Sequence, residues 1–173
     1  KIHSELSGIP LYQKETTPDN YENEFKEAVR SIIKNENNPS SSSFAKVGMK
    51  GLSNGIKGMV FGDIYLDEHR HWVERVCKDL GLEAVEPLWE KNTEELLKDF
   101  INTGFAAVVV AGQAKFIDKE WIGKTVDLEF MEYLKKRGDV DICGEKGEYH
   151  TLVTGGPLFK GRIEITEKEV IEK

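Results

Sequence analysis

The stretch "IKGMVFGDIYLDEHRHWVERVCKDLGLEAVEPLW", residues 56–89, decides the fold class. It opens with a short apolar run that ends at Gly62 and Asp63, which is typical of a buried strand. A helix follows, with Asp67 as its expected N-cap and Gly81 as its stop, and "EAVEPLW" then predicts a second strand. A strand, a helix and a strand in this order predict a parallel sheet with helices packed on it, and therefore an α/β protein.

The sequence before this stretch continues the alternation of strands and helices. "KIHSELSGIPLYQKE" predicts the end of a helix, a turn at Gly8 and a strand near residues 9–14. "YENEFKEAVRSIIK" repeats apolar residues at helical spacing, so it predicts an amphipathic helix over residues 21–34.

The sequence after it restarts the pattern. "NTEELLKDFINTGF" predicts a helix capped by Thr93 and stopped at Gly104, and "AAVVVAGQ" predicts a buried strand. A second helix is expected from about Asp127, where a cap is the commoner role for an aspartate. "VDICG", "YHTLVTGG" and "KGRIEIT" predict three more strands.

The restart at Asn92 predicts a boundary near residues 89–92, which gives domains 1–90 and 91–173. Residues 35–55, "NENNPSSSSFAKVGMKGLSNG", predict an exposed loop or linker, although loops of this length often act as lids. The chain begins without methionine in what reads as mid-pattern, so we expect it to be a fragment of a longer protein.

Composition sets limits on function. Of 173 residues, 39% are hydrophobic and 32% charged, and no window approaches the roughly 20 apolar residues of a membrane span. A net charge of −7 argues against a broad nucleic-acid surface but leaves room for a local nucleotide pocket. Two cysteines without a signal-like leader predict a reducing, cytoplasmic environment. Cys77 shares a helical stripe with Val73 and Val76, which predicts a buried hydrophobe, and Cys143 has the same expectation more weakly.

Three cations at the start of the helix after Asp63 form an electrostatic anomaly. His69, Arg70 and His71 lie in its first turn, where the helix dipole makes a cation unfavourable by about 0.3–1 kcal/mol. A bound phosphate near Arg70 would remove that cost, whereas pairing with Asp67 or Glu74 would explain the same residues. Asp63 likewise fits either magnesium or ribose binding, or a simple turn.

The nine residues "CGEKGEYHT", 143–151, contain the other candidate site. Glu145 and Glu148 alternate with Gly144 and Gly147, so the backbone can turn tightly and approach a ligand. Two close carboxylates could bind a cation or accept protons. A polar hairpin turn between two strands explains the same letters, and the local pattern alone favours that turn.

Seven separated motifs, in the same order, resemble the diphthine–ammonia ligase (diphthamide synthase) family of ATP-dependent amide-forming enzymes. They are "FGDI", "HRHWVERVCKDLGL", "EPLW", "GF", "IGKTVD", "CGEKGEYHT" and "GPLFKGRIEI", and the resemblance runs from about residue 3 to 165. It implies an N-terminal nucleotide-binding domain with the Rossmann-like parallel sheet of the adenine nucleotide alpha hydrolases. A smaller α/β C-terminal domain would carry the glutamate loop.

The resemblance also implies the reaction. A carboxylate of diphthine, the modified histidine of elongation factor 2, is adenylated by ATP with release of pyrophosphate, and ammonia then displaces AMP. The implied cofactors are ATP and Mg²⁺, with metal ligands that cannot be read from the sequence. Elongation factor 2 and ammonium are the implied partners, without direct nucleic-acid or membrane binding.

Site residues follow from the matching motifs. The nucleotide would lie beside Gly62, Asp63 and Arg70. Glu145 and Glu148 would attract ammonium and help to remove its proton. Substrate would contact the rest of that motif: Gly144, Gly147, Tyr149, His150 and Thr151.

Two departures from the family pattern qualify this expectation. The family's pyrophosphate-binding loop is absent, so this chain alone is not expected to turn over ATP. The connection at residues 35–55 is also longer than in the family pattern. A bacterial relative that amidates another small acid, and a non-catalytic nucleotide-binding module, are the alternatives, although the retained Glu145 and Glu148 favour an enzyme.

Overall fold

The computed structural model describes residues 1–36 and 55–171. Most of the predicted loop at residues 35–55 therefore lies outside the described residues. The chain divides into two compact units, an N-terminal unit containing His3–Trp89 and a C-terminal unit containing Glu90–Lys173. In the part of the chain that the structure describes, no helix combines the length and apolar character needed to cross a membrane.

The N-terminal unit contains the parallel strand pair that the sequence predicts. Strands β1 and β2 run parallel, with Gly58 opposite Glu83 and Val60 opposite Val85. A helix connects them, which confirms the strand, helix and strand order and the α/β class. The elements of this unit are α1 (Ile2–Ser7), α2 (Tyr21–Glu36), β1 (Gly58–Val60), α3 (Asp67–Leu80) and β2 (Glu83–Val85).

Helix α3 buries the predicted stripe, and Cys77 is 1% exposed within it. Gly81 ends the helix in the left-handed conformation, with φ of 68°, as predicted. The expected cap at Asp67 is wrong: Leu66 occupies the N-cap without a side-chain bond, and Asp67 is the first helical residue. Its carboxylate still lies in the first turn, where a negative charge suits the helix dipole.

Helices α2 and α3 pack through aromatic rings and ion pairs. The Phe25 and Trp72 rings meet edge to face with centroids 5.2 Å apart. Glu22 accepts a hydrogen bond from Arg75 at 2.6 Å and another from Lys26 at 2.7 Å. These two cations, Arg75 first, lower the pKa of Glu22 from 4.5 to about 2.

That depressed pKa predicts a pH-dependent contribution of Glu22 to stability. Between pH 4.5 and about 2, the Glu22 carboxyl binds a proton more readily in the unfolded state than in the folded state. The stability that ionised Glu22 contributes above pH 4.5 is therefore lost as the pH falls to about 2. We expect Glu22→Gln to lower the urea midpoint at pH 6 and to match the wild type near pH 2. Glu15→Gln, at an exposed residue, is the control, and a pH-independent difference for Glu22→Gln would contradict the prediction.

The predicted strand near residues 9–14 is wrong. Residues 9–17 form neither helix nor strand, and Ile9 and Leu11 are exposed. An extended segment becomes a strand only when its backbone is paired. The only strand pairings among the described residues join β1 to β2 and Ala106–Gly112 to Tyr149–Gly155.

The C-terminal unit is built on an antiparallel strand pair. Strand β3 pairs with β4, Val108 lying opposite Leu152 and Gly112 opposite Tyr149. Helices pack with this pair around one buried core. The elements are α4 (Thr93–Asn102), β3 (Ala106–Gly112), α5 (Leu128–Arg137) and β4 (Tyr149–Gly155).

The helix caps of this unit agree with the prediction in one case of two. Asp127 caps α5, since its Oδ1 accepts a hydrogen bond from the Phe130 backbone N–H at 3.0 Å. Helix α4 is capped by Asn92, whose Oδ1 accepts from Glu95 N–H at 3.0 Å, so the cap expected at Thr93 is wrong by one residue. Asn92 has the extended backbone that a cap requires, and Thr93 is already helical.

Two further predicted strands are wrong. Residues 140–144 form a turn because Asp141 binds nearby backbone N–H groups, which competes with strand pairing. Residues 160–166 form no strand, although Ile163 N–H donates to the Thr154 carbonyl at 2.7 Å.

Close packing after β4 requires a residue without a side chain. A Cβ added at Gly156 would lie 2.7 Å from Cε1 of Phe105 and closer still to its Cδ1, nearer than carbon atoms approach. The Phe105 ring is itself stacked on Phe100 at 5.1 Å. Gly156 therefore lets the chain leave the sheet directly over this pair of rings.

Candidate functional site

The N-terminal unit gathers polar side chains at the carboxyl ends of its two strands, where ligands of parallel sheets bind. Gly62 and Asp63 follow β1, and Asp63 Oδ1 lies 2.8 Å from His69 Nδ1. The space beside the Gly62 Cα is open, since a Cβ added there would have no neighbouring atom within 4 Å. The predicted nucleotide-binding residues Gly62 and Asp63 thus lie between the end of β1 and the N-terminus of helix α3.

Arg70 lies on the same side of the N-terminal unit. Its Nε donates to Glu74 Oε1 at 2.9 Å, and its guanidinium lies 4.7 Å from the centroid of the Trp89 ring. Two of the three first-turn residues pair with carboxylates: Arg70 with Glu74, and His69 with Asp63 rather than with Asp67. The alternative, a phosphate near Arg70, stays a prediction.

Glu86 and Trp89 are residues of this region that sequence reasoning missed. They form a tight turn after β2, in which Trp89 N–H donates to the Glu86 carbonyl at 3.2 Å. Glu86 Oε1 and Trp89 Nε1 are buried atoms without a hydrogen-bond partner among the described residues. Burial raises the pKa of Glu86; nearby Arg70 opposes this rise. The sequence signal that could have identified Glu86 is a carboxylate directly after an apolar strand.

The C-terminal unit builds the glutamate loop, residues 143–149, immediately before and into the start of β4. Gly144 and Gly147 both have left-handed backbones, with φ of 71° and 76°. At Gly144 a Cβ would also lie 3.0 Å from the Tyr149 ring. Glycine is therefore required at Gly144 both for its conformation and for its contact.

Glu148 is a buried carboxylate, only 4% exposed. Its Oε1 accepts the Asp141 backbone N–H at 3.1 Å, and its Oε2 accepts that of Lys146 at 3.0 Å. Buried charge is tolerated when it is hydrogen-bonded in this way. Glu145, between the two glycines, is partly exposed.

Asp141 and Gln113 make further bonds to this loop. Asp141 Oδ1 accepts the backbone N–H groups of Cys143 at 2.9 Å and Glu145 at 3.2 Å. Gln113, which follows β3, donates its side-chain amide to the Gly147 carbonyl at 2.8 Å and its backbone N–H to the Glu148 carbonyl at 2.9 Å. The loop is therefore fixed both to itself and to the end of the sheet.

The remaining predicted residues of this motif divide between core and surface. Tyr149 is 6% exposed, its hydroxyl donates to the Ile142 carbonyl, and burial raises its pKa. Its ring lies 5.2 Å from that of Phe130 in the core. His150 and Thr151 are exposed on β4. Of these predicted substrate residues, Tyr149 therefore faces the core, whereas His150 and Thr151 lie on the surface.

The resemblance implies magnesium, which requires oxygen ligands. No group of three or more His, Cys, Asp or Glu side chains within them is arranged to hold a metal ion. Mg²⁺ commonly keeps several waters and takes ligands from substrate phosphates. A magnesium ion that enters with ATP would therefore take most of its ligands from the phosphates and from water.

Cys143 is predicted to be an unreactive thiol. Its Sγ donates to the Thr93 carbonyl at 3.3 Å, and burial, with Asp141 and Glu145 nearby, raises its pKa from 9.0 to about 12. The thiolate is the nucleophile, so we expect iodoacetamide to label native Cys143 at pH 8 about a thousandfold more slowly than in urea. Peptide mass spectrometry separates it from Cys77, and native labelling within tenfold of the unfolded rate would contradict the prediction.

Sequence comparisons match both units to one kind of enzyme. The family model described as diphthamide synthase N-terminal domain matches residues 1–84, and that described as diphthamide synthase C-terminal domain matches residues 92–172. Diphthine–ammonia ligase of Schizosaccharomyces pombe is 38% identical over 119 residues, which are 68% of this chain and 20% of that protein. The Homo sapiens enzyme of the same name is 36% identical over 119 residues, 67% of this chain and 45% of that protein. The chain thus spans less than half the length of these relatives.

Proposed function

Because the chain belongs to the diphthamide synthase family, we propose that it forms part of an ATP-dependent ligase that converts a carboxylate to an amide with ammonia. Diphthine on elongation factor 2 is the proposed substrate, since two relatives are named diphthine–ammonia ligase. Elongation factor 2 acts in translation, so a cytoplasmic location is proposed with it.

The observation that carries this proposal is the glutamate loop. It brings two carboxylates, Glu145 and Glu148, into seven residues, and bonds from Asp141 and Gln113 fix its backbone. A preorganised negative site attracts ammonium, and a positioned carboxylate can take its proton. A solvated turn has no need of a carboxylate as buried as that of Glu148.

The chemistry proceeds in two steps. A carboxylate oxygen of the substrate attacks the α-phosphorus of ATP, pyrophosphate leaves, and an acyl adenylate forms. Ammonium gives a proton to Glu145, and the resulting ammonia attacks the acyl carbon. The bond from that carbon to the AMP oxygen breaks, AMP leaves, and the nitrogen gives a second proton to water, which yields the neutral amide. Glu148 adds negative charge beside Glu145 and is not required to change its own hydrogen bonds.

The N-terminal unit is proposed to bind the nucleotide at the carboxyl ends of β1 and β2. Gly62 leaves open space there, and Asp63 suits a ribose hydroxyl or the waters of a magnesium ion. Arg70, which pairs with Glu74, would exchange that carboxylate for a phosphate of ATP, because a guanidinium can form paired hydrogen bonds with either group. The magnesium ion would supply charge neutralisation to the phosphates when ATP is bound.

The test is pyrophosphate release by the natural full-length protein with ATP, ammonium and elongation factor 2 carrying diphthine. We expect turnover that requires all three and amide formation detected on the factor by mass spectrometry. Turnover with a small carboxylic acid and not with the factor would assign the alternative substrate class. ATP binding without pyrophosphate release in either case would overturn the ligase and leave a nucleotide-binding module.

A further inference from the structure

We propose that Asp141 and Gln113 are positioning residues, which hold the backbone of the glutamate loop so that Glu145 is presented to ammonium. Neither is assigned a contact with substrate. The inference rests on the proposed function for the role of Glu145, whereas the holding of the loop can be measured without any assay of activity.

Asp141 holds the loop through one oxygen atom. Its Oδ1 accepts the N–H of Cys143 at 2.9 Å and that of Glu145 itself at 3.2 Å, so the backbone of the proposed base is fixed directly. An aspartate that binds backbone N–H groups two residues on is a common local turn device. What this function needs is an acceptor oxygen, which asparagine also has, rather than a negative charge.

The buried carboxylate of Glu148 holds Asp141 in turn. The Asp141 backbone N–H donates to Glu148 Oε1 at 3.1 Å, while Glu148 Oε2 accepts from Lys146 at 3.0 Å. The two carboxylates thus accept four backbone N–H groups from a span of six residues. Asp141 and Glu148 use these oxygens to hold the loop, and we assign proton removal to Glu145, whose backbone N–H Asp141 fixes.

Gln113 connects the same loop to the end of strand β3 by two hydrogen bonds. Its side-chain amide donates to the Gly147 carbonyl at 2.8 Å, and its backbone N–H donates to the Glu148 carbonyl at 2.9 Å. Gly147 has a left-handed backbone, and Gln113 directly follows the last residue of β3. A loop of two glycines would otherwise lose rigidity, since glycine has the greatest backbone freedom.

The decisive comparison is Asp141→Ala with Asp141→Asn in the full-length protein. We expect Asp141→Ala to speed amide hydrogen exchange at Cys143 and Glu145 by about tenfold, because two hydrogen bonds are lost. Its kcat for amidation should fall by about tenfold or more while the KM for ATP is unchanged. Asp141→Asn should keep both exchange and kcat within about threefold of the wild type, since the acceptor is retained.

Two further variants complete the test. Gln113→Ala removes the side-chain bond to the Gly147 carbonyl, so the loop should open more often. We expect faster exchange at the Gly147 N–H, which donates to the Gly144 carbonyl at 2.9 Å, and a lower kcat. Asp139→Ala, an exposed residue two positions before Asp141 whose carboxylate pairs with Arg137, is the matched control and should change neither readout.

The outcomes separate the positioning role from the proposed function. Equal losses of kcat in Asp141→Asn and Asp141→Ala would assign the charge of Asp141 to the chemistry and overturn the positioning role. Unchanged exchange and turnover in Asp141→Ala would overturn it as well. If the wild type fails to amidate diphthine, the proposed function fails, and hydrogen exchange still decides whether Asp141 and Gln113 hold the loop.

Discussion

Phe130→Ala is expected to lower the free energy of unfolding of the C-terminal unit by about 3–5 kcal/mol. The Phe130 side chain is fully buried, at 0% exposure, in the core of this unit. Its ring contacts three other aromatic rings, with centroids 5.1 Å away at Trp121, 5.2 Å at Tyr149 and 6.1 Å at Tyr133. Alanine would remove these contacts and leave a cavity that the surrounding helix and strands cannot fill.

The measurement is urea denaturation followed by NMR signals of the C-terminal unit, so that unfolding of the N-terminal unit is not included. Leu128→Ala is the control on the same helix, because Leu128 is 49% exposed, and it should change stability by no more than about 0.5 kcal/mol. A loss below about 1 kcal/mol for Phe130→Ala would show that this ring is not central to the core.

Glu145→Gln is expected to lower kcat for amidation by about 10²- to 10⁴-fold, the usual contribution of a general base. Glutamine has nearly the same shape but cannot take a proton from ammonium. Since the Asp141 bond involves the backbone N–H of residue 145, the loop should keep its conformation in this variant. The loss is therefore expected in kcat, with ATP binding and hydrogen exchange near Glu145 unchanged.

Kinetics of the full-length protein at varied ammonium and pH check this prediction. At alkaline pH, where more ammonium is already deprotonated, the difference between wild type and Glu145→Gln should shrink. Glu120→Gln, an exposed glutamate of the same unit, is the matched control. A kcat within threefold of the wild type at neutral pH would remove Glu145 from the reaction and return the loop to a structural role.

The sequence predicts helix ends well where the position accepts only a few residue types. Gly81 ends α3 and Asp127 caps α5, because each position needs a property that few residue types have. Thr93 and Asn92 are both good caps by residue type, and only the backbone conformation distinguishes them. A cap error of one residue has little effect on the fold.

Strand predictions fail where pairing or side-chain bonds, rather than periodicity, set the structure. The sequence predicts a strand over residues 9–14 after the turn at Gly8, but this segment has no paired strand among the described residues. At residues 140–144 the bonds of Asp141 to the backbone outweigh the apolar pattern. The spacing of apolar residues carries no information on either kind of bond.

Sequence motifs locate the candidate site residues along the chain, but the internal organisation of the sites is not predictable from them. By sequence, Glu145 and Glu148 form an equivalent pair, since both lie beside glycines. The burial of Glu148 and the bond from Gln113 to Gly147, 34 residues later, depend on tertiary structure. The sequence also places Glu86 at the end of an apolar strand, but the burial of its carboxylate oxygen depends on packing.

The contact between Gly156 and Phe105 also restricts how this protein can evolve. Every substitution at Gly156 adds a Cβ, which would overlap the Phe105 ring. A lineage can therefore accept a larger residue at Gly156 only after Phe105 has become smaller, and the reverse order passes through a destabilised intermediate. The two positions, 51 apart in the chain, should thus change together and in one preferred order.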